Sequence, residues 1–182
     1  MTMKQIFATV VFVMALVLHP LIASAAQTDA LKASAQQALQ QLYDSNADAA
    51  QTGKDAKAVL VFPEVVKVGF VLGGSHGEGV LFKIAEVVNY YTTTGGSWGL
   101  QAGMQSYGYA VFLMSDDAVD YLDRSNGWEI GAGPSIVVLN HGHAKRISST
   151  TVKSDAYAVI FGQRGLMAGL GIEGSKISPM SR

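Results

Sequence analysis

The chain has 182 residues, of which 20 are glycine and none is cysteine, and its 13 basic and 14 acidic residues leave a formal net charge of −1. This length favours a single domain, and the lack of cysteine excludes disulfide bonds and a lipid anchor on a cysteine. A weakly acidic chain without a run of lysine or arginine is a poor match for nucleic acid, because such binding depends on many phosphate contacts.

Residues 1–25 have the features of an export signal. Lys4 supplies a positive charge, residues 6–18 are apolar, and a small-x-small motif ends at Ala25. We expect a signal peptide that is cleaved before Ala26, because the apolar run is shorter than a bilayer span; an uncleaved anchor is the alternative. Cleavage would give a periplasmic or secreted protein with 12 basic and 14 acidic residues, a net charge of −2.

The mature chain is predicted to begin with a helical segment, residues 26–54. From about Thr28 to Asp44, apolar residues recur at helical spacing, and glutamines fill much of the opposite face. Two interpretations are open: the helix docks on a sheet, or it lies on a membrane surface. Residues 45–55 form either a second short helix or a linker. The apolar positions that would meet lipid in the membrane interpretation include Leu31, Leu39 and Leu42.

Residues 55–182 are dominated by strand-like runs that are rich in β-branched and aromatic residues. About ten short strands and one or two short helices predict an α+β domain with a compact, strongly curved antiparallel β-sheet or partial barrel. Glycines in residues 73–78 and 95–96 predict turns between strands. Ser115, followed by two aspartates, predicts the start of a helix that ends near Asn126. The last strand-like runs are residues 128–133, 135–140, 147–153, 157–161 and 166–173.

Four separated motifs in this region resemble the SYLF domain family. They are the stretches Val61–Leu81, Gly95–Gly103, Trp128–Gly133 and Gly165–Ile177. The resemblance implies a non-enzymatic lipid-binding module without a cofactor, whose eukaryotic members bind phosphoinositides and regulate actin and whose bacterial members are exported. For an exported bacterial chain it favours peripheral binding to an anionic phospholipid, because such a protein would normally meet no actin.

Lipid head groups require local hydrogen-bond donors rather than a high net charge. The candidates are the lysines that follow the first helix or lie in the first strands, although ordinary surface lysines are the alternative. They are Lys54, Lys57, Lys67 and Lys83. A second hypothesis is a cell-envelope domain that binds another protein through the tyrosine-bearing strands around Tyr90-Tyr91 and Tyr107 to Tyr109.

Three further patterns indicate chemistry only weakly. Residues 169–176 resemble a phosphate-binding loop, but the serine and lysine are transposed. His141 and His143 on a strand would supply two metal ligands, and His76 is the only other imidazole of the mature chain. Residues 75–78 contain the serine, histidine and glutamate of a hydrolase, yet neighbours on a tight loop rarely face one another. We therefore expect neither enzyme activity nor a metal or cofactor.

Overall fold

A computed structural model describes residues 26–84, 86–124, 128–129, 136–140 and 155–180, which form three helices and five strands. The helices are α1 (residues 26–45), α2 (Ala47–Asp55) and α3 (Asp116–Arg124). The strands are β1 (Ala58–Lys83), β2 (Glu86–Leu113), β3 (Trp128–Glu129), β4 (Ile136–Asn140) and β5 (Ala156–Pro179). These elements confirm the predicted α+β class.

Long antiparallel pairings organise the sheet. The strand order is β1-β2-β5-β3, and β4 also pairs with β5. β1 pairs with β2 along nearly its whole length, and β2 pairs with β5 in the same way. β3 is antiparallel to β5, whereas β4 is parallel to it. We refer to β1, β2 and β5 together as the ribbon. The described pairings leave β1 and β3 at the ends of an open sheet, so the partial barrel is not confirmed.

The ribbon bends back on itself. A Cβ atom on Gly77 would stand 2.7 Å from the carbonyl oxygen of Glu64, and one on Gly79 would stand 2.6 Å from Cδ1 of Phe62. In a straight strand the thirteen residue steps from position 64 to position 77 would span about 43 Å. The second half of β1 therefore returns to lie against its first half. Glycine is needed at both positions because a side chain would collide with the neighbouring arm.

The predicted turns within residues 73–78 and 95–96 are wrong. Gly74 pairs with Gly96 in the middle of the ribbon, and the chain reverses instead between Lys83 and Glu86. The glycines let paired strands bend sharply without interrupting their hydrogen bonds. Several of the predicted short strands therefore join into one long strand, and the prediction of about ten short strands is not confirmed.

Two apolar clusters cover opposite faces of the sheet. Alternate residues of β1 belong to different clusters, as the pleat of a strand requires. Phe62 packs in the first cluster with Leu122 of α3, and Val61 packs in the second with Leu42 of α1. Both halves of β1 contribute to each cluster, so the core stabilises the bent ribbon. None of the helices among the described residues has the length and apolar content needed to cross a bilayer.

The helices follow local sequence signals closely. α1 covers the predicted segment, and residues 47–55 form a helix rather than a linker, with the Asn46 side chain accepting from the Ala49 amide at 3.0 Å. Ser115 caps α3 as predicted, since its hydroxyl accepts from the Ala118 amide at 3.2 Å. Strands are confirmed at Trp128–Glu129, Ile136–Asn140 and along β5. The predicted strand at 147–153 and the predicted helix end near 126 lie outside the described residues.

Candidate functional site

Large apolar side chains are exposed on one side of the ribbon, where it bends. Phe70 is 80% exposed, Leu72 70%, Trp98 71% and Leu166 88%. These values are high for side chains of this size, most of which are buried in folded proteins. We refer to this patch as the apolar face, and its members are Val66, Val68, Phe70, Leu72, Trp98, Met104 and Leu166.

The strand register makes the apolar face continuous. Val68 pairs with Met104 and Met104 pairs with Leu166, which forms a row across the three strands. Leu72 pairs with Trp98 in a second row. Residues directly opposite each other in antiparallel strands project from the same side of the sheet. The exposed side chains therefore form one patch rather than scattered surface residues.

The other side of the bend has small residues at several paired positions. Gly69 pairs with Gly103, and Gly73 pairs with Ser97. Rows that lack large side chains allow the three strands to curve strongly in that direction. The large side chains consequently lie on the opposite side. There they stay exposed, whereas the members of the two core clusters are buried by the described elements.

A strained residue interrupts β1 within the apolar face. Val71 has a φ of +66°, a left-handed conformation that β-branched residues rarely adopt, and it lies at an irregularity in the pairing with β2. The pairs on either side are Phe70 with Ala102 and Leu72 with Trp98. Between these two pairs β1 advances by two residues and β2 by four. Both numbers are even, so the apolar side chains remain on the same side of the sheet. Strain of this kind costs about 1–3 kcal/mol and is concentrated at functional sites.

A polar groove of about 820 Å³ lies between α1 and the ribbon. One wall is a stripe of α1 that includes three glutamines. The other wall lies where the register shifts in β1 near Pro63 and in β2 near Tyr107, and where Gly162 has a φ of +61° in β5. Bulged strands of this kind are common beside binding sites. The polar residues of the groove include Gln27, Gln37, Gln41, Glu64, His76, Glu78, Ser106 and Arg164.

The charged side chains of the groove are not used by the fold. Glu64 and Arg164 are exposed and Glu78 is half-buried. Within the described part of the chain, these three side chains take part in no ion pair or hydrogen bond. Their charges are therefore accessible to a ligand in the groove.

The predicted lysines lie in two places. The first and last residues of β1 lie close together at the end of the ribbon opposite the bend, because the two halves of the strand run side by side in opposite directions. Lys57 and Lys83 flank these ends, and Lys54 closes α2 nearby in sequence; all three are exposed. We refer to them as the lysine end. Lys67 lies apart from them, half-buried in the bend beside Val66.

The predicted leucines of α1 face the core. Leu42 is 1% exposed in the second apolar cluster, and Leu31 and Leu39 are partly buried against it. Of the two interpretations of α1, the structure therefore shows the helix docked on the sheet. Contact of these leucines with lipid would require α1 to leave that position.

The tyrosines of the predicted protein-binding strands lie largely in the core. Tyr90, Tyr91 and Tyr109 are buried. The Tyr109 ring stacks on Phe62 with centroids 4.6 Å apart, and its hydroxyl is hydrogen-bonded to Thr93. Burial raises the pKa of Tyr109 above its ordinary value, since the phenolate would lose its hydration. These three side chains form no exposed aromatic patch.

The weaker chemical patterns do not assemble into a site among the described residues. Ser75 and His76 are neighbours in β1 and project from opposite sides of the sheet, whereas His76 and Glu78 share the side of the groove. Residues 169–176 lie in β5. No cluster of three or more histidines and acids capable of holding a metal occurs in the described ranges, and His141 and His143 lie outside them.

Comparison with sequence models of protein families gives a match over the carboxy-terminal half of the chain. Residues 94–182 match the sequence model of Ysc84, described as a Las17-binding protein actin regulator. No curated protein matches the chain. The match includes Trp98, Met104, Arg164 and Leu166, which are contributed by β2 and β5, and it begins after the motif at 61–81. Residues 94–182 therefore match the SYLF (Ysc84) domain family that the motifs of the chain indicated.

Proposed function

We propose that this protein is a non-enzymatic lipid-binding domain that attaches peripherally to a phospholipid membrane through the apolar face. The observation that carries this proposal is the continuous patch of large exposed side chains at the bend, because soluble monomers rarely expose such a patch without a binding role. Trp98, which pairs with Leu72 in one row of the patch, is a residue type that favours the boundary between head groups and acyl chains. Lipid binding is also what the resemblance to the SYLF family implies.

We further propose that the protein works in the periplasm, after removal of residues 1–25. The charge, apolar length and small-residue motif of that segment support export. The family is described as a regulator of actin that binds Las17. An exported bacterial protein would meet neither, so the lipid surface is the partner that we carry over to this chain.

The apolar face supplies more binding free energy than the lysine end. Burying one large apolar side chain contributes roughly 1.5–3 kcal/mol, so Phe70, Leu72, Trp98 and Leu166 together offer about 6–12 kcal/mol before the cost of association. A lysine near an anionic membrane contributes about 1 kcal/mol, so three offer about 3 kcal/mol, and salt weakens that term. We therefore assign membrane attachment to the apolar face; the lysine end lies at the opposite end of the ribbon from the bend and is the competing contact.

Vesicle co-sedimentation of residues 26–182 tests this assignment. The double variant Phe70→Ser with Leu166→Ser is expected to bind phosphatidylcholine vesicles that contain phosphatidylglycerol at least about tenfold more weakly than the wild type, because two insertion anchors are lost. The matched control is Ile84→Ser, which removes a side chain that is 91% exposed at the hairpin tip. This control is expected to bind as the wild type does.

Two outcomes would contradict the proposal. If the double variant binds normally while replacement of the three lysines abolishes binding, the lysine end is the membrane contact. If the wild type binds no vesicle at low salt, the alternative of a cell-envelope domain that binds another protein is favoured. Circular dichroism of each variant excludes unfolding as the cause, since exposed substitutions usually change stability by no more than about 0.5 kcal/mol.

A further inference from the structure

The groove and the apolar face adjoin each other. Val66 belongs to both. Ser106 and Arg164 pair across β2 and β5 and line the groove, and two residues further along the same ladder Met104 pairs with Leu166 in the apolar face. A lipid whose acyl chains meet the apolar face would therefore have its head group at the groove.

The charges of the groove match a head group that carries both signs. The Arg164 guanidinium presents several N–H donors in one plane, which suits the oxygens of a phosphate. The carboxylates of Glu64 and Glu78 are acceptors, which suit the three N–H donors of a primary ammonium. Because two carboxylates oppose one guanidinium, a purely anionic head group is disfavoured in the groove.

A primary ammonium fits this acceptor set better than a quaternary one. A choline head group has a positive charge but no N–H to donate, so it cannot form hydrogen bonds with Glu64 or Glu78. The amide side chains of the α1 wall, Gln27, Gln37 and Gln41, carry no charge and leave this balance unchanged. The volume of about 820 Å³ also lies in the range of small-ligand sites.

We propose that the groove recognises the phosphoethanolamine head group of a membrane lipid, with Arg164 binding the phosphate and Glu64 and Glu78 binding the ammonium. This inference rests on the proposed function, because it names the head group of the lipid whose membrane the apolar face contacts. It predicts selectivity between two lipids of equal net charge, which neither the apolar face nor the lysine end provides.

The test compares two sets of vesicles with the same content of phosphatidylglycerol. One set contains phosphatidylcholine as the remaining lipid, and the other has part of it replaced by phosphatidylethanolamine. Wild-type residues 26–182 are expected to bind the second set about fivefold more tightly, the modest gain of a charge-assisted hydrogen bond at a partly exposed site. Soluble glycerophosphoethanolamine is expected to reduce this preference, and glycerophosphocholine is not.

Variants locate the selectivity. Glu64→Gln with Glu78→Gln is expected to abolish the preference while leaving binding to the phosphatidylcholine set intact, and Arg164→Gln is expected to weaken binding to both sets. Glu86→Gln is the matched control, because it removes an exposed carboxylate at the hairpin end, outside the groove. It should keep the wild-type preference.

The outcomes separate this inference from the proposed function. Equal binding of the wild type to both sets would overturn the head-group assignment and leave membrane attachment standing. A preference that survives in the Glu64→Gln, Glu78→Gln variant would also overturn it, because the ammonium would then be recognised elsewhere. Failure of the wild type to bind either set would overturn the proposed function itself.

Discussion

The substitution Gly77→Ala tests whether β1 returns onto itself. The added methyl group would stand 2.7 Å from the carbonyl oxygen of Glu64 and 2.7 Å from Cγ2 of Val65. No side-chain rotation can relieve a contact with a backbone oxygen, so the two halves of β1 would have to separate. Overpacking of this kind costs roughly 1–3 kcal/mol, whereas alanine gains about 0.5–1 kcal/mol over glycine by restricting the unfolded chain. We expect a net loss of about 1–2 kcal/mol.

Thermal unfolding followed by circular dichroism measures this loss. For a domain of this size, 1 kcal/mol lowers Tm by about 2–4 °C, so the expected decrease is about 2–8 °C. Gly96→Ala is the matched control in the same ribbon, because no atom lies within 4 Å of the added methyl group. It should leave Tm unchanged or raise it. Equal Tm values for Gly77→Ala and Gly96→Ala would refute the contact between the two halves of β1.

Two further substitutions test buried and local interactions. Burial raises the pKa of Tyr109 above 10 in the folded protein, so above that pH the unfolded chain loses a proton that the folded protein keeps, and the free energy of unfolding falls. Tyr109→Phe should show a smaller decrease in urea titrations between about pH 9 and pH 11, and an identical pH dependence would contradict this reasoning. Ser115→Ala removes the acceptor of the Ala118 amide and should destabilise the protein by about 1 kcal/mol, measured by urea unfolding. Ser115→Asp keeps an acceptor and should retain most of that stability; equal losses for both variants would show that the cap is unimportant.

The helices could be predicted because their signals are local. The start of α3 depends on Ser115 and the residues just after it, and α1 depends on apolar spacing within its own segment. The membrane interpretation of α1 depends on something that spacing does not contain. An apolar stripe is the same whether it meets a sheet or a lipid, and only packing of Leu42 in the second cluster distinguishes the two.

Strong curvature of the sheet was predicted, but the position of the bend within continuous strands could not be, because a glycine has the same local signal in a turn and in a bent strand. What distinguishes them is distant in sequence: Gly74 faces Gly96 across the sheet, and Gly77 contacts Glu64 thirteen residues earlier. The turn that does reverse the chain contains Ile84, with a φ of +50°. Isoleucine is rarely found in that conformation, so the sequence there has no turn signal.

The candidate site was missed for a related reason. Large residues alternate with small ones along β2 between Trp98 and Met104, and alternation normally predicts that the large side is buried. The sequence signal that was available is the accumulation of glycine at the intervening positions on two paired strands, such as Gly69 and Gly103. Glycine pairs of this kind reduce the side-chain bulk on one side of the ribbon, so the ribbon can curve toward that side and leave the large side chains outward.

The position of the apolar face explains why it can be altered without loss of the fold. Both core clusters are built from the parts of the ribbon on either side of the bend, with Phe62 and Leu81 in one and Val61 and Val80 in the other. The exposed side chains of the bend belong to neither cluster. Their packing therefore contributes little to stability, and the strained Val71 among them reduces it. A bend that adds apolar exposure and strain without adding core is what the proposed membrane contact requires, so serine substitutions there should change vesicle binding while the unfolding transition stays in place.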